Sequence, residues 1–151
     1  GYTGLPLIKA GDGTASLGAD NSFSGTVTVN AGILALGADS ALDSNIITLN
    51  GGGLDMGTVS NTVGALTVGA SGGTLIPGAG TLLFADSSAI SWTGTLTLTN
   101  TLVEGTVRFG ADDSGLTQTQ LDAIQYDGPE VRMMPNGYLT ALPYGTVISV
   151  R

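Results

Sequence analysis

Short alternating segments recur along most of the chain and constrain its fold more than any other feature. In each segment, apolar residues alternate with small or polar ones over about four to six positions, which is the period of a half-buried strand. Glycine, asparagine, aspartate and serine stand at the joints, and the intervals are too short for helices. The clearest segments are 14–17, 25–29, 32–37, 45–50, 53–57, 65–69, 73–76, 80–84 and 94–99. The chain is therefore predicted to be all-β.

Closely spaced strands of this kind suit an antiparallel β-sandwich or a parallel β-solenoid (β-helix), in which each strand pairs with its equivalent one coil away. The imperfect motif G-T-[LV]-[TLI]-[VLF] returns at Gly25, Gly73, Gly80, Gly94 and Gly105, at intervals of 7 to 48 residues. Repetition of one supersecondary unit favours the solenoid. We predict a single-domain β-solenoid over the whole 151-residue chain, with the sandwich as the alternative.

One segment near the C-terminus breaks the strand pattern. Thr117 and Gln120 have the spacing of a capping box, and Leu116 and Leu121 have that of a hydrophobic staple. We therefore expect one short α-helix near residues 117–125. It should lie as a lid on an end or side of the coil, where it would hide an open strand edge.

The charge balance argues against nucleic acid and anionic membranes as partners, and the hydropathy pattern argues against a membrane-spanning helix. Four basic residues against 12 acidic ones give a net charge of -8, so phosphate backbones and anionic membrane surfaces would repel the chain. No apolar run approaches the roughly 20 residues that a membrane helix needs. We expect neither nucleic-acid binding nor a transmembrane segment.

The side chains that most enzymes rely on are missing. The sequence has no histidine and no cysteine, which removes the common general base, the thiolate nucleophile and the usual zinc ligands together. Lys9 is the only lysine and is expected to be solvated, while the adjacent Asp112 and Asp113 would point to opposite faces of a strand. We expect a protein that is not an enzyme and needs no cofactor.

Calcium is the one metal that the sequence brings into consideration. Residues 51–55, Gly-Gly-Gly-Leu-Asp, are similar to one copy of a calcium-binding nonapeptide, whose site needs ligands from tandem copies. Aspartates that adjoin small or polar residues, as Asp39 and Asp86 do, more commonly accept bonds from their own backbone in turns. Calcium binding is therefore a weak alternative, and turn formation is the main expectation for these acids.

Residues 8–37 resemble the autotransporter-associated β-strand repeat, which reads approximately K-x-G-x-G-T-L-T-L-x-G-x-N-x-Y-x-G-x-T-x-V-N-x-G-T-L-x-L-G. The chain keeps the lysine, the glycine pair, the asparagine, the V-N-x-G step and the closing L-G. It departs from the pattern at Ala15, Ser16 and Phe23, which does not disturb a strand-turn-strand reading. The similarity extends over a repeat-like part, 8–57, and more loosely to the helix and terminal strands within 116–151.

This resemblance implies a β-solenoid passenger of a bacterial exoprotein, secreted or displayed on the cell surface. It implies a scaffold and no reaction. We therefore expect an extracellular structural protein, most simply a self-associating surface or filament subunit. The alternative is an adhesin or a module that binds cell-surface glycans, with Trp92 as its sugar-stacking residue.

The assembly hypothesis depends on the two ends of the solenoid, where strands lack a neighbour. Terminal strands are predicted within 3–8 and over 145–150, and both are apolar and nearly uncharged. Strand addition or stacking between copies would join them into an oligomer or filament. The residues predicted to make these contacts are Leu5, Leu7, Ile8, Val147, Ile148 and Val150.

Overall fold

The computed structural model describes residues 4–142, which form a β-solenoid closed by one short helix and a hairpin. Three sheets of parallel strands wrap around one core, which confirms the predicted solenoid and excludes the sandwich. Sheet A contains β1 (Leu7–Lys9), β3 (Val27–Val29), β5 (Ile47–Leu49) and β8 (Leu66–Val68). Sheet B contains β2 (Thr14–Leu17), β4 (Ile33–Leu36), β6 (Gly53–Asp55), β9 (Gly73–Ile76), β11 (Leu96–Leu98) and β13 (Ile124–Tyr126). Sheet C contains β7 (Ser60–Thr62), β10 (Thr81–Phe84) and β12 (Val107–Phe109).

Successive coils pair in register, and their length grows towards the C-terminus. In sheet A, Leu7 pairs with Val27 and Val27 with Ile47, a step of 20 residues each time. In sheet B the last step runs from Leu96 to Ile124, which is 28 residues. The additional residues lie in the connections, because the paired strands keep three or four residues throughout.

The recurrent G-T motif marks the start of strands on all three sheets. Its copies precede or open β3 of sheet A, β9 and β11 of sheet B, and β10 and β12 of sheet C. Its intervals therefore mix steps within a coil with steps between coils. This explains their irregularity.

Columns of aliphatic side chains fill the interior. In sheet B the inward column includes Leu34, Leu54 and Leu75, which pair in successive coils and are all buried. Burial of one such side chain stabilises the fold by about 1.5–3 kcal/mol relative to exposure. Phe84 and Phe109 continue the core of sheet C as parallel stacked rings, with centroids 4.6 Å apart.

Glycine is required where one coil turns closely against the previous one. Gly32 has a φ of +66°, a conformation that side chains with a Cβ rarely adopt. A Cβ there would also collide with the backbone carbonyls of Gly11 and Gly13 in the preceding coil. The glycine of the V-N-x-G step is therefore set by both backbone conformation and coil-to-coil packing.

Buried polar side chains satisfy backbone groups at a corner between sheets C and A. Asn45 is only 1% exposed, and its amide donates to the carbonyls of Phe23 and Gly25 while its oxygen accepts from the Asp43 N–H. Ser87 has the same role two coils further on, where its hydroxyl accepts from the Leu66 N–H. These bonds link neighbouring coils where no strand ladder does so.

The helix α1 (Gln118–Asp122) begins where the sequence predicts it and ends earlier. Thr117 and Gln120 form the capping box. The prediction that the helix continues to residue 125 is wrong, because Ile124 already pairs with Leu96 as the first residue of β13. The Leu96 N–H also bonds to the Ala123 carbonyl, so the strand ladder competes with and ends the helix.

Truncation of Leu54 to alanine should lower the free energy of unfolding by about 2–5 kcal/mol, because the column above and below it cannot close the cavity fully. The matched control is Thr48→Ala, on the outward face of β5, which should change stability by no more than about 0.5 kcal/mol. Urea unfolding followed by circular dichroism measures both. Equal effects of the two substitutions would contradict the assignment of Leu54 to the core.

Candidate functional site

The N-terminal end of the solenoid is open among the described residues. β1 and β2 are the edge strands of sheets A and B, and neither has a strand partner on its outer side within residues 4–142. Leu5 is 56% exposed and Ile8 61% exposed, while Leu7 packs partly against the core. Three of the predicted assembly residues therefore lie together at one apolar edge.

The C-terminal half of the predicted assembly set cannot be placed. Val147, Ile148 and Val150 lie outside the described residues, as does the strand predicted over 145–150. On the C-terminal side of the described residues, the chain packs over the ends of sheets A and C, whereas β13 remains an edge strand of sheet B.

This C-terminal cover has two parts. α1 lies over the end of sheet A, and the Gln120 amide donates to the carbonyls of Ser87 and Ile90 in the preceding coil. A hairpin of β14 (Glu130–Met133) and β15 (Leu139–Leu142) follows β13, and its turn reaches sheet C. There the Phe109 N–H donates to the Gly137 carbonyl beside an antiparallel bridge between Arg108 and Tyr138. The helix therefore acts as the lid that the sequence predicts.

The expectation that Lys9 is solvated is wrong. Lys9 is only 9% exposed, and its Nζ donates to the carbonyls of Ala10, Gly11 and Ala31 at 3.1, 2.6 and 3.1 Å. An ammonium group has three donors, so all of them are used by the backbone of the first two coils. The lysine of the repeat motif therefore fastens a turn and is not available to a ligand.

Trp92, the predicted glycan-stacking residue, is half-buried and serves the fold. Its Nε1 donates to the Leu66 carbonyl at 2.9 Å, replacing the strand that sheet A lacks in the next coil. Its ring packs edge-on against Phe109, with centroids 6.4 Å apart. The rest of the ring lines a shallow cleft with Thr119 and Gln120 of α1. Trp92 therefore combines a packing role with a position at an accessible depression.

The turn aspartates accept bonds from nearby hydroxyls and backbone N–H groups. The Asp86 carboxylate accepts from both the N–H and the hydroxyl of Ser88, and these bonds hold the pKa of Asp86 below its ordinary value. Asp112 forms the same turn with Ser114, which likewise lowers the pKa of Asp112. The predicted turn role is confirmed for Asp86, whereas Asp39 instead accepts from the Ser60 N–H one coil away.

The segment similar to a calcium motif has a different geometry. Asp55 belongs to β6 and accepts from the Gly57 N–H, so it terminates a strand. Within residues 4–142, no group of three or more acidic side chains is arranged to hold a metal ion.

Arg108 is a residue whose position the sequence did not reveal. Its guanidinium lies 5.7 Å from the centre of the Tyr138 ring, and its Nε is buried with no hydrogen-bond partner. The alternation of β12 places it outward between two buried residues, which was the available signal. Its proximity to Tyr138 depends on the hairpin folding back, which no local pattern predicts.

A parallel solenoid with an aliphatic interior is the architecture that the resemblance to the autotransporter-associated β-strand repeat implies. No helix among the described residues is long and apolar enough to cross a membrane. Residues 7–36 match the family described as the passenger-associated-transport-repeat. The chain therefore carries an autotransporter passenger repeat, which confirms the resemblance drawn from residues 8–37.

A longer alignment connects the chain with one curated protein. Over 126 residues, 73% of the chain, it is 40% identical to the adhesin BmaC autotransporter of Brucella suis biovar 1 (strain 1330). The chain spans only 4% of the length of that relative. No solved structure matches the chain. Together the two matches confirm the prediction of a secreted or cell-surface bacterial protein.

Replacement of Ser88 by alanine should raise the pKa of Asp86 towards the ordinary value of an aspartate, because the Ser88 hydroxyl that donates to the charged carboxylate is lost. A carboxylate whose pKa is lower in the folded than in the unfolded state stabilises the fold at pH values above its unfolded-state pKa. This contribution is lost as the pH falls through the folded-state pKa. Carboxyl-carbon NMR titration measures the shift. Ser91→Ala, in the same loop, is the control and should leave the Asp86 titration unchanged.

Proposed function

We propose that this chain is a segment of an adhesin-type passenger, a rigid solenoid that holds binding side chains at the bacterial surface. The observation that carries the proposal is the 40% identity to an autotransporter adhesin over most of the chain. Because the chain corresponds to 4% of the length of that relative, two points are part of the proposal: that the whole protein adheres, and what it adheres to. The role is non-enzymatic and cofactor-free, as the absence of histidine and cysteine leads us to expect.

The outward faces support a binding role that uses many weak polar contacts. On sheet A, Thr28, Thr48 and Thr67 pair with one another in successive coils and form one outward row. Neighbouring parallel strands lie about 4.8 Å apart, so such a row presents hydroxyl groups at a regular spacing. A regular polar surface on a stiff support suits repeated contact with a host surface.

The cleft beside Trp92 fits the glycan-binding alternative at the residue that the sequence predicts for it. An aromatic ring edge, the Thr119 hydroxyl and a surrounding loop provide one apolar and several polar contacts. Since Trp92 also packs against Phe109, its truncation would mix binding with stability. A larger side chain at an exposed residue of the cleft wall would block binding while it leaves Trp92 in place, which separates the effect on binding from the effect on stability.

The purified chain should bind members of a glycan array, and Thr119→Arg should reduce that binding about tenfold or more by occupying the cleft. Thr81→Arg, on the outward face of β10 in sheet C, is the control that adds the same charge away from both the cleft and the threonine row of sheet A. Circular dichroism checks that both variants are folded. Absence of binding by the unmodified chain, on glycans and on intact host cells alike, would rule out the adhesin proposal.

Self-association through the open N-terminal edge is the second candidate. It is supported by the exposure of Ile8 on edge strand β1 and of Leu5, which lies just before that strand. Among residues 4–142, the members of the predicted assembly set that can be placed all lie at this edge, which supports a contact between two N-terminal edges more directly than head-to-tail growth. Two copies can instead place their N-terminal edges together about a two-fold axis, with β1 antiparallel to its counterpart. We therefore propose a closed pair in place of a filament.

Ile8→Lys should shift the chain from dimer to monomer in sedimentation velocity. At the centre of a two-fold contact, the lysine ammonium groups of the two copies would face and repel each other. The control is Ile46→Lys, since Ile46 is similarly exposed, at 47%, but precedes the interior strand β5. A monomeric unmodified chain at all concentrations would exclude the pair. Equal dissociation by both variants would place the contact elsewhere.

A further inference from the structure

A shallow groove of about 490 Å³ runs along the outside of the solenoid, beside the corner that leads from sheet C to sheet A. Its lining comes from several successive coils, so its long direction follows the solenoid axis. The residues that matter for its chemistry are Ser44, Thr62, Leu83, Ala85, Arg108 and Gly110. We call it the sheet C groove.

Arg108 is distinguished from the other basic side chains of the described region by its partners. Lys9 is held by three backbone carbonyls, and Arg132 pairs with Glu130 at 2.8 Å. Within residues 4–142, Arg108 has no carboxylate partner and only the Tyr138 ring lies against its guanidinium. Its covered Nε lacks an acceptor. The guanidinium therefore carries an unsatisfied donor beside the groove, and a charge-assisted bond to an anionic acceptor is the interaction that suits it.

We infer that the sheet C groove binds an acidic oligosaccharide along the solenoid axis, with one carboxylate paired to the Arg108 guanidinium. This inference deepens the proposed adhesin function and depends on it for its biological meaning. Arginine is suited to planar, two-point recognition of a carboxylate. The hydroxyls of Thr62 and Ser44, two and three coils from Arg108, would contact sugar hydroxyl groups further along the groove.

A saccharide fits the groove better than a peptide does. An extended peptide gains affinity by adding to an open strand edge, but this groove crosses strands β7, β10 and β12, which are paired within the sheet. The backbone offers no free row of donors and acceptors there. Side-chain hydroxyls and one cation remain as the polar contacts, and these match sugar hydroxyls and a uronic acid carboxylate.

Acidic residues limit how many charges the ligand can carry. Asp86 lies next to Gly110 in the groove wall, and Asp112 is close enough to repel its carboxylate. The carboxylates of Asp86 and Asp112 would repel a polymer that carries a negative charge on every sugar. A chain that alternates neutral and acidic sugars can place one carboxylate at Arg108 and neutral sugars beside these acids. The preferred class is therefore a glycan with spaced uronic acids.

The test uses three probes on the whole chain: a hyaluronan tetrasaccharide with alternating uronic acids, the neutral, fully N-acetylated chitotetraose, and tetraglutamate. Arginine-side-chain NMR should show a shift of the Arg108 Nε–H signal with hyaluronan and none with chitotetraose. Arg108→Gln should weaken hyaluronan binding about 10- to 100-fold, the range expected when a charge-assisted hydrogen bond is lost. Arg108→Lys should give an intermediate loss of affinity, because lysine keeps the positive charge but lacks the planar guanidinium that binds a carboxylate at two points.

Arg132→Gln is the matched control, since it removes a cation that is already paired, and it should not change binding. Unchanged hyaluronan affinity in folded Arg108→Gln would overturn the inference. A shift with tetraglutamate alone would also overturn it and indicate a peptide partner. Array binding that survives in Arg108→Gln would leave the adhesin proposal standing, whereas absence of binding by the unmodified chain, on the array and on host cells alike, would remove that proposal first.

Discussion

In-register hydrogen bonding between parallel strands of successive coils is the interaction on which the rest of the structure depends. It places each inward aliphatic residue directly over the equivalent residue of the previous coil, as with Leu34, Leu54 and Leu75. A shift by one residue would turn this column outward, because side chains alternate faces along a strand. Coil length can then vary freely, provided that the additional residues stay in the connections.

The same stacking leaves backbone groups unpaired at corners and ends, and the chain satisfies them with particular side chains. Asn45 and Ser87 serve a corner, Lys9 fastens the first turn, and the Trp92 indole replaces a missing strand of sheet A. Several of these residues are types usually associated with binding or catalysis. In this chain their donors and acceptors are used by the fold, which moves the candidate binding surfaces to the outside of the coils.

The sequence predicted the strands, the solenoid and the start of the helix because these depend on local patterns. Alternation identifies strands, and the capping box depends on residues three apart such as Thr117 and Gln120. The end of α1 was not predictable in this way, since pairing of Ile124 with Leu96 overrides local helix preference. The burial of Lys9 requires Ala31 in the next coil, and the setting of Arg108 requires the hairpin. Both depend on contacts between residues distant in sequence, which local patterns do not indicate.

The positions of the basic side chains have a consequence for survival outside the cell. Proteases of the trypsin type cut after lysine or arginine and must draw an extended, accessible segment into their active site. Among residues 4–142, Lys9 is buried with its ammonium group bound by carbonyls, Arg108 is half-covered within sheet C, and only Arg132 is exposed. Arg132 itself lies in a paired strand of the hairpin. The folded solenoid therefore offers such proteases few cleavage points, which favours a long lifetime in a protease-rich environment.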